Sequence, residues 1–256
     1  MPIKIEVTHS APATKSNQLE VAECVRDEFT DLPPERLLIF LDNEDAECFR
    51  EKWGPMNRGF FTSLNGGVLL TLGIPLDKWP ERITRHFLAR DPETGKYILD
   101  PETGGIKFVY DQVIYLYGTT CDDSVGRVMT LAHELQHFVQ YGFHRELHKK
   151  NFEFLRRLPA YEIPIEKEAR IIAKRIAEKE KLCGTEQVAN YIARKISDAD
   201  DHINSGANSV GALEENEIKQ WQDEAKDWRF IQELDSSIPY DLATETELVR
   251  HRLAEH

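Results

Sequence analysis

The chain has 256 residues, of which 41% are hydrophobic and 30% are charged, enough to bury one large core or a core with an appended helical region. Its formal net charge of −13 argues against broad binding to nucleic acid or to an anionic membrane surface. The cysteines are scattered without a C-x-x-C pair, which favours reduced thiols over a disulfide framework: Cys24, Cys48, Cys121 and Cys183.

The N-terminal third predicts mixed α and β structure. Residues 1–10 resemble a strand and lack the apolar segment of a signal peptide, and no stretch of the chain is long enough to span a bilayer. We therefore expect a cytoplasmic protein that binds no membrane. The pattern further predicts a helix, a short strand, a second helix and a hairpin turning at Asn65-Gly66-Gly67, at residues 17–29, 36–41, 44–53 and 59–73.

A short repeat precedes the longest predicted strand. The sequence DPETG occurs at 91–95 and again at 100–104, and each copy offers a proline for a turn and a glycine for positive φ. Residues 96–99 between the copies are strand-like, and residues 106–118 are rich in β-branched and aromatic side chains. We expect a β-meander that leads into this strand, whose exposed edge would bind an extended peptide by strand addition.

The next segment carries the motif with the clearest chemistry, His133-Glu134-Leu135-Gln136-His137. Two histidines four residues apart on a helix lie one turn apart on one face, so both imidazoles can reach one metal ion. A glutamate beside the first histidine can hold a water bound to that metal. This H-E-x-x-H arrangement is typical of zinc peptidases, in which the glutamate is the general base.

The surrounding sequence predicts that the motif lies on a helix spanning 125–141. Acidic residues and a serine at 122–124 suit its N-terminus, and Gly142 suits its end. Apolar residues cluster on one side of the helical wheel, namely Val128, Leu131, Ala132, Leu135, Phe138 and Val139. His133, Glu134 and His137 fall on the other side with Thr130 and Tyr141. One face is therefore predicted to pack in the core and the other to carry the chemistry.

A third ligand is expected downstream, because catalytic zinc sites usually have three protein ligands and a water. Residues 164–182 predict a helix that Pro164 opens and Gly184 ends. Glu166 lies on its small, apolar face, where a buried carboxylate needs a partner or a metal. We therefore expect Glu166 to be the ligand, with Glu168 as the second choice and Glu162 as the third.

These residues resemble the gluzincin zinc metallopeptidases in their compact, soluble form. H-E-x-x-H is followed about thirty residues later by E-x-x-A, here Glu166 to Ala169, and the resemblance covers roughly residues 106–182. It implies zinc bound by His133, His137 and Glu166, with Glu134 as the base. One position departs from the family, because Arg170 stands where an aspartate or asparagine often supports a ligand histidine.

The remaining segments predict helices around this centre. Residues 143–158, between the two motif helices, contain a basic cluster with His148, and His144 or Tyr161 is a candidate for stabilising an oxyanion. Residues 186–198 and 213–234 have helical periodicity, separated by a loop at 205–209. Aromatic residues are expected to anchor the longer helix to the core, namely Trp221, Trp228 and Phe230.

The sequence thus predicts an α+β protein with a zincin-like core, a small antiparallel or mixed sheet and a C-terminal helical region. Residues 1–184 are expected to form the metallopeptidase domain and residues 185–256 a helical extension. The expected function is zinc-dependent hydrolysis of peptide or protein substrates, with no nucleic acid or membrane partner. Two alternatives stay open: an inactive zincin-like interaction or sensor module, and a zinc hydrolase acting on a non-peptide amide.

Overall fold

The computed structural model describes residues 3–8, 12–42, 59–63, 81–101, 104–117, 123–154, 157–208 and 215–255. The chain divides into two compact units, one made of residues 1–23 and 32–123 and the other of residues 24–31 and 124–256. This division falls elsewhere than the predicted boundary after residue 184. None of the helices in the described ranges is long and apolar enough to cross a lipid bilayer.

The first unit contains a four-stranded sheet. Its strands are β1 (Ile3–Thr8), β2 (Leu37–Asp42), β3 (Gly59–Ser63) and β4 (Gln112–Tyr117), in the order β1-β2-β4-β3. β1, β2 and β4 are mutually parallel, whereas β3 runs antiparallel to β4. The α+β class is therefore confirmed, but a wholly antiparallel sheet is wrong.

Strand β4 is a central strand with no free edge. Every residue from Gln112 to Tyr117 pairs with β2, and Gln112 to Leu116 also pair with β3. All six residues of β4 and all six of β2 are buried, as expected for inner strands covered on both faces. The predicted edge for substrate addition is therefore wrong, because both rows of backbone hydrogen-bonding groups are already paired.

The first DPETG repeat, at 91–95, forms a turn as predicted. The Asp91 carboxylate accepts hydrogen bonds from the backbone N–H groups of Glu93 and Thr94, and Gly95 and Gly104 have φ of 68° and 69°. The chain around them is joined by single antiparallel bridges and not by a meander: Leu88 with Phe108, Arg90 with Tyr97 and Leu99 with Ile106. The predicted strand at 106–118 is thus regular only over β4.

The helices of the described residues have the following bounds. α1 spans Pro12–Arg26 and α2 spans Glu81–Phe87. The second unit contains α3 (Ser124–Phe143), α4 (Arg145–Phe154), a 3₁₀ turn (Ala160–Glu162), α5 (Pro164–Ala177), α6 (Thr185–Asn208), α7 (Glu215–Glu233) and α8 (Leu242–Ala254). Within this unit α3 packs against α5, and α6 packs against α7.

Several predicted boundaries shift in the structure. α3 continues through Gly142 instead of stopping there, and α5 ends at Ala177, followed by turns that lead to Gly184 at φ 78°. Residues 205–208 are helical and not a loop. The predicted helix at 44–53, the turn at 65–67 and two of the cysteines, Cys48 and Cys121, lie outside the described residues.

A buried asparagine fixes the start of α5, where the candidate third ligand lies. Asn151, on α4, is fully buried, and its amide nitrogen donates to the Leu147 carbonyl and to Thr246 Oγ1, both at 2.9 Å. Its Oδ1 accepts a hydrogen bond from the backbone N–H of Ile165 at 3.3 Å. One side chain therefore satisfies polar groups on α4, α5 and α8.

Replacing Asn151 with alanine should destabilise the second unit by about 2 kcal/mol, because the Ile165 N–H is left buried without a partner. Urea unfolding followed by circular dichroism measures the change. Glu153→Ala is the matched control, since Glu153 is exposed on the same helix. Equal stability of the two variants would contradict this role for Asn151.

Candidate metal centre

The two motif histidines converge on one face of α3. Their Nε2 atoms are 3.0 Å apart, and the rings are perpendicular with centroids separated by 4.6 Å. This follows from the four-residue spacing, which stacks the side chains one turn apart. The apolar residues on the other face pack in the core, with Leu131, Ala132, Leu135 and Phe138 fully buried.

Glu166 meets these histidines from the first turn of α5. Its Oε1 lies 3.4 Å from His137 Nε2, and its Oε2 lies 3.4 Å from His133 Nε2. The helix begins at Pro164, and a carboxylate in the first turn is favoured there by the helix dipole. The three ligand atoms lie within 4.8 Å of one another.

The spacing of these atoms fits a metal ion. Bonds of 2.0–2.1 Å in tetrahedral geometry place neighbouring ligand atoms about 3.3 Å apart. The two Nε2 atoms are 3.0 Å apart, each lies 3.4 Å from a different oxygen of Glu166, and one ligand atom from each residue lies within 4.8 Å of the others. His133, His137 and Glu166 are therefore positioned to bind a metal ion, as the sequence predicted.

Gln140 sets the tautomer of His137. The amide nitrogen of Gln140 donates to the Ile165 carbonyl at 2.9 Å and to Glu168 Oε2 at 2.7 Å, so its Oε1 must face the other way. That oxygen lies 2.8 Å from His137 Nδ1 and accepts its proton. In the neutral ring the lone pair is then on Nε2, which points at the cluster and is ready to bind a metal.

Charge is divided unequally between the two histidines. Burial, together with the positive charge of His137, lowers the pKa of His133 to about 4. Burial acts to lower the pKa of His137 as well, but the charge of Glu166 outweighs it and raises that pKa to about 9. His137 in turn holds the pKa of Glu166 well below its usual range, despite burial. A metal ion binding here would replace a proton on His137.

Arg170, the residue that departs from the family pattern, contacts the ligand glutamate. Its Nη1 donates to Glu166 Oε2 at 2.9 Å, and its Nη2 donates to Asp227 Oδ2 at 2.9 Å. Asp227 lies on α7, so Arg170 links the Glu166 carboxylate to the C-terminal region, whereas the support of the ligand histidine His137 comes from Gln140.

The two other candidate ligands lie elsewhere. Glu168 Oε2 accepts from the amides of Gln136 and Gln140, at 3.1 and 2.7 Å. Glu162 pairs with Arg252 on α8 at 2.9 Å. Neither carboxylate belongs to the metal cluster formed by the described residues.

Glu134, the predicted base, is buried on α3 with 7% of its surface exposed. It lies close enough to His137 for its negative charge to contribute to the raised pKa of that ring. Its carboxylate therefore acts on His137 through its charge but is not one of the three clustered ligands. This placement is compatible with a base that acts on a metal-bound water.

The His148 ring lies beside the cluster, and the Tyr141 ring lies beside His148. The His148 ring lies 6.5 Å from the His137 ring and 5.6 Å from the Tyr141 ring, measured between centroids. Burial, with the charge of His137, lowers the pKa of His148 to about 4. His144 is exposed, and within the described chain neither it nor Tyr161 has a hydrogen bond or ring contact with the three ligands.

The sequence analysis did not identify Gln140 as a site residue. It named His148 beside a basic cluster but gave it no role. Gln140 follows the second histidine by three residues, which places it on the same helical face. That spacing was a usable signal. His148 lies beyond the break between α3 and α4, so helical periodicity alone does not place it at the cluster.

Comparison of the chain with known protein families, with curated proteins and with solved structures found no match.

Replacing Gln140 with alanine should weaken zinc binding about 10- to 100-fold, because His137 loses the acceptor that fixes its tautomer and ring orientation. Competition with a zinc-binding dye measures the affinity. Gln136→Ala is the matched control, since Gln136 shares Glu168 as a partner but has no described bond to a ligand histidine. Equal affinities for the two variants would contradict the role of Gln140.

Zinc affinity should rise about tenfold per pH unit between pH 6 and pH 8.5, since binding must displace one proton from His137 below its pKa of about 9. His133 adds no slope there, because its pKa of about 4 leaves it neutral. Calorimetric titrations corrected for buffer competition measure the slope. An affinity that stays constant over this range would mean that His137 is already neutral in the metal-free protein.

Proposed function

We propose that this chain is a zinc-dependent metallopeptidase of the gluzincin type. The observation that carries the proposal is the convergence of His133, His137 and Glu166, with Glu134 beside the first histidine on the same helix. Two imidazoles and one carboxylate leave a fourth position for water, as catalytic zinc sites do. The N₂O ligand set supports zinc over calcium and magnesium, which prefer all-oxygen sites.

The chain's own residues divide the work of the reaction. Zinc at this centre would supply Lewis acidity and lower the pKa of a bound water towards about 7. The Glu134 carboxylate would take the proton of the attacking water and pass it to the nitrogen of the leaving amine. Gln140 would hold His137 in the tautomer whose Nε2 is free to bind, as its hydrogen bonds indicate.

The surroundings of the centre supply a candidate for substrate polarisation. The His148 ring packs edge-on against His137 and the Tyr141 ring packs edge-on against His148, and the low pKa of His148 keeps its ring neutral at neutral pH. A neutral imidazole can donate one hydrogen bond from its N–H to a developing oxyanion. His148 therefore replaces His144 and Tyr161 as our first candidate for this role.

Glu134→Gln should retain about one zinc per chain but lose peptide hydrolysis by about 10²- to 10⁴-fold, because the amide cannot accept the proton of the attacking water. Glu166→Ala should lose the zinc. Metal content is measured by mass spectrometry and hydrolysis with a peptide library. Glu168→Ala is the matched control for the third ligand and should keep the metal.

Each outcome separates the proposal from its alternatives. Zinc binding without hydrolysis of any peptide would favour an inactive module, and hydrolysis of small amides alone would favour a non-peptide substrate. Hydrolysis that is unchanged in Glu134→Gln would show that another residue is the base. No zinc in the wild type after reconstitution would contradict the proposed zinc centre and with it the proposed function.

A further inference from the structure

Arg170 joins the metal cluster to helix α7. One terminal nitrogen, Nη1, donates to Glu166 Oε2 at 2.9 Å. The other side of the guanidinium faces Asp227, with Nη2 donating to Oδ2 at 2.9 Å and Nε 2.8 Å from Oδ1. Asp227 therefore faces the guanidinium with both oxygens, Oδ2 as a hydrogen-bond acceptor and Oδ1 in an ion-pair contact without a hydrogen bond, whereas Arg170 donates to only one oxygen of Glu166. The guanidinium is largely buried, with 11% of the side chain exposed.

This division of donors matters because Arg170 and a metal ion compete for the same carboxylate. A guanidinium prefers to engage a carboxylate at two points, and it is never deprotonated in proteins. A two-point pair with Glu166 would occupy Oε1 as well as Oε2. Oε1 is the oxygen that faces His137 Nε2 at 3.4 Å.

We propose that Asp227 is a positioning residue of the metal centre. Both oxygens of Asp227 face the Nε and Nη2 side of the guanidinium, which limits Arg170 to one hydrogen bond with Glu166 Oε2. Glu166 Oε1 then stays available as the metal ligand. Asp227 also balances the buried positive charge of Arg170, so that this charge is not left for Glu166 alone to neutralise.

The proposal makes α7 part of the metal centre instead of an independent extension. Asp227 lies 57 residues after Arg170 in the chain, within the region that the sequence assigned to an appended helical segment. The inference rests on metal binding in the proposed function but not on peptide hydrolysis. It is therefore tested with zinc alone.

Lys174 on α5 provides a matched control for a purely structural role of the contact between Arg170 and Asp227. The Lys174 ammonium group, one turn after Arg170, also ties α5 to the end of α7. It donates to the carbonyls of Ile231, Gln232 and Leu234 at 3.0, 3.3 and 2.6 Å. None of its described bonds reaches a metal ligand. Lys174→Met should weaken the packing of α7 without changing the zinc affinity of the folded protein.

The test compares the wild type, Asp227→Ala and a double variant on the full chain, with zinc affinity measured by chelator competition. Asp227→Ala should weaken zinc binding about 10- to 100-fold, because the freed Arg170 engages both oxygens of Glu166. The double variant Arg170→Met/Asp227→Ala should recover most of that loss, since the competing cation is gone. Urea unfolding of each metal-free variant separates affinity from stability.

Four results would overturn the proposal. Wild-type zinc affinity in Asp227→Ala would show that Asp227 has no influence on the centre. A double variant that binds no better than Asp227→Ala would exclude competition by Arg170. An equal loss of affinity in Lys174→Met and Asp227→Ala would reduce Asp227 to a packing contact. A wild type that binds no zinc would overturn both this proposal and the proposed function.

Discussion

The packing of α3 against α5 is the constraint on which the metal centre depends. The two histidines come from the middle of α3, but the carboxylate comes from the start of α5, so the cluster exists only while these helices hold one relative position. Polar contacts fix that position at Ile165, whose carbonyl accepts from Gln140 and whose N–H donates to Asn151. Glu166 is the next residue. A small apolar face with Ala169, Ala173 and Ala177 buried allows the close approach.

Several charged side chains lie in the helix contact around the cluster, and each of them has partners that offset the cost of its burial. Burying a carboxylate or a guanidinium costs several kcal/mol unless it is paired. Glu166 is shared between two histidines and Arg170, and Glu168 between two glutamine amides. This arrangement is expected for a site held ready for a cation, since the ligands keep their orientation before the metal arrives. The same preorganisation would let Glu134 act from a fixed place.

Much of the site was predictable because its elements are local. A four-residue spacing on a periodic helix placed His133 and His137 together, and the face of the second helix selected Glu166 over Glu168. The supporting residues were not predictable in the same way. Gln140 could have been identified from its three-residue spacing to His137. Asp227, in contrast, pairs with Arg170 across 57 residues, and no local pattern encodes that contact. The sheet was not predictable for the same reason: the sequence suggested an exposed edge for the strand at 106–118, but β4 is an inner strand whose partners β2 and β3 come from distant segments.

The measurement that tests the central claim most directly is a crystal structure of the zinc-loaded protein with anomalous data collected at the zinc absorption edge. The account predicts one strong anomalous peak about 2.0–2.2 Å from His133 Nε2, His137 Nε2 and Glu166 Oε1. Arg170 should still be hydrogen-bonded to Glu166 Oε2. A peak held by other residues, or no peak at the α3–α5 contact in protein that carries zinc, would contradict it.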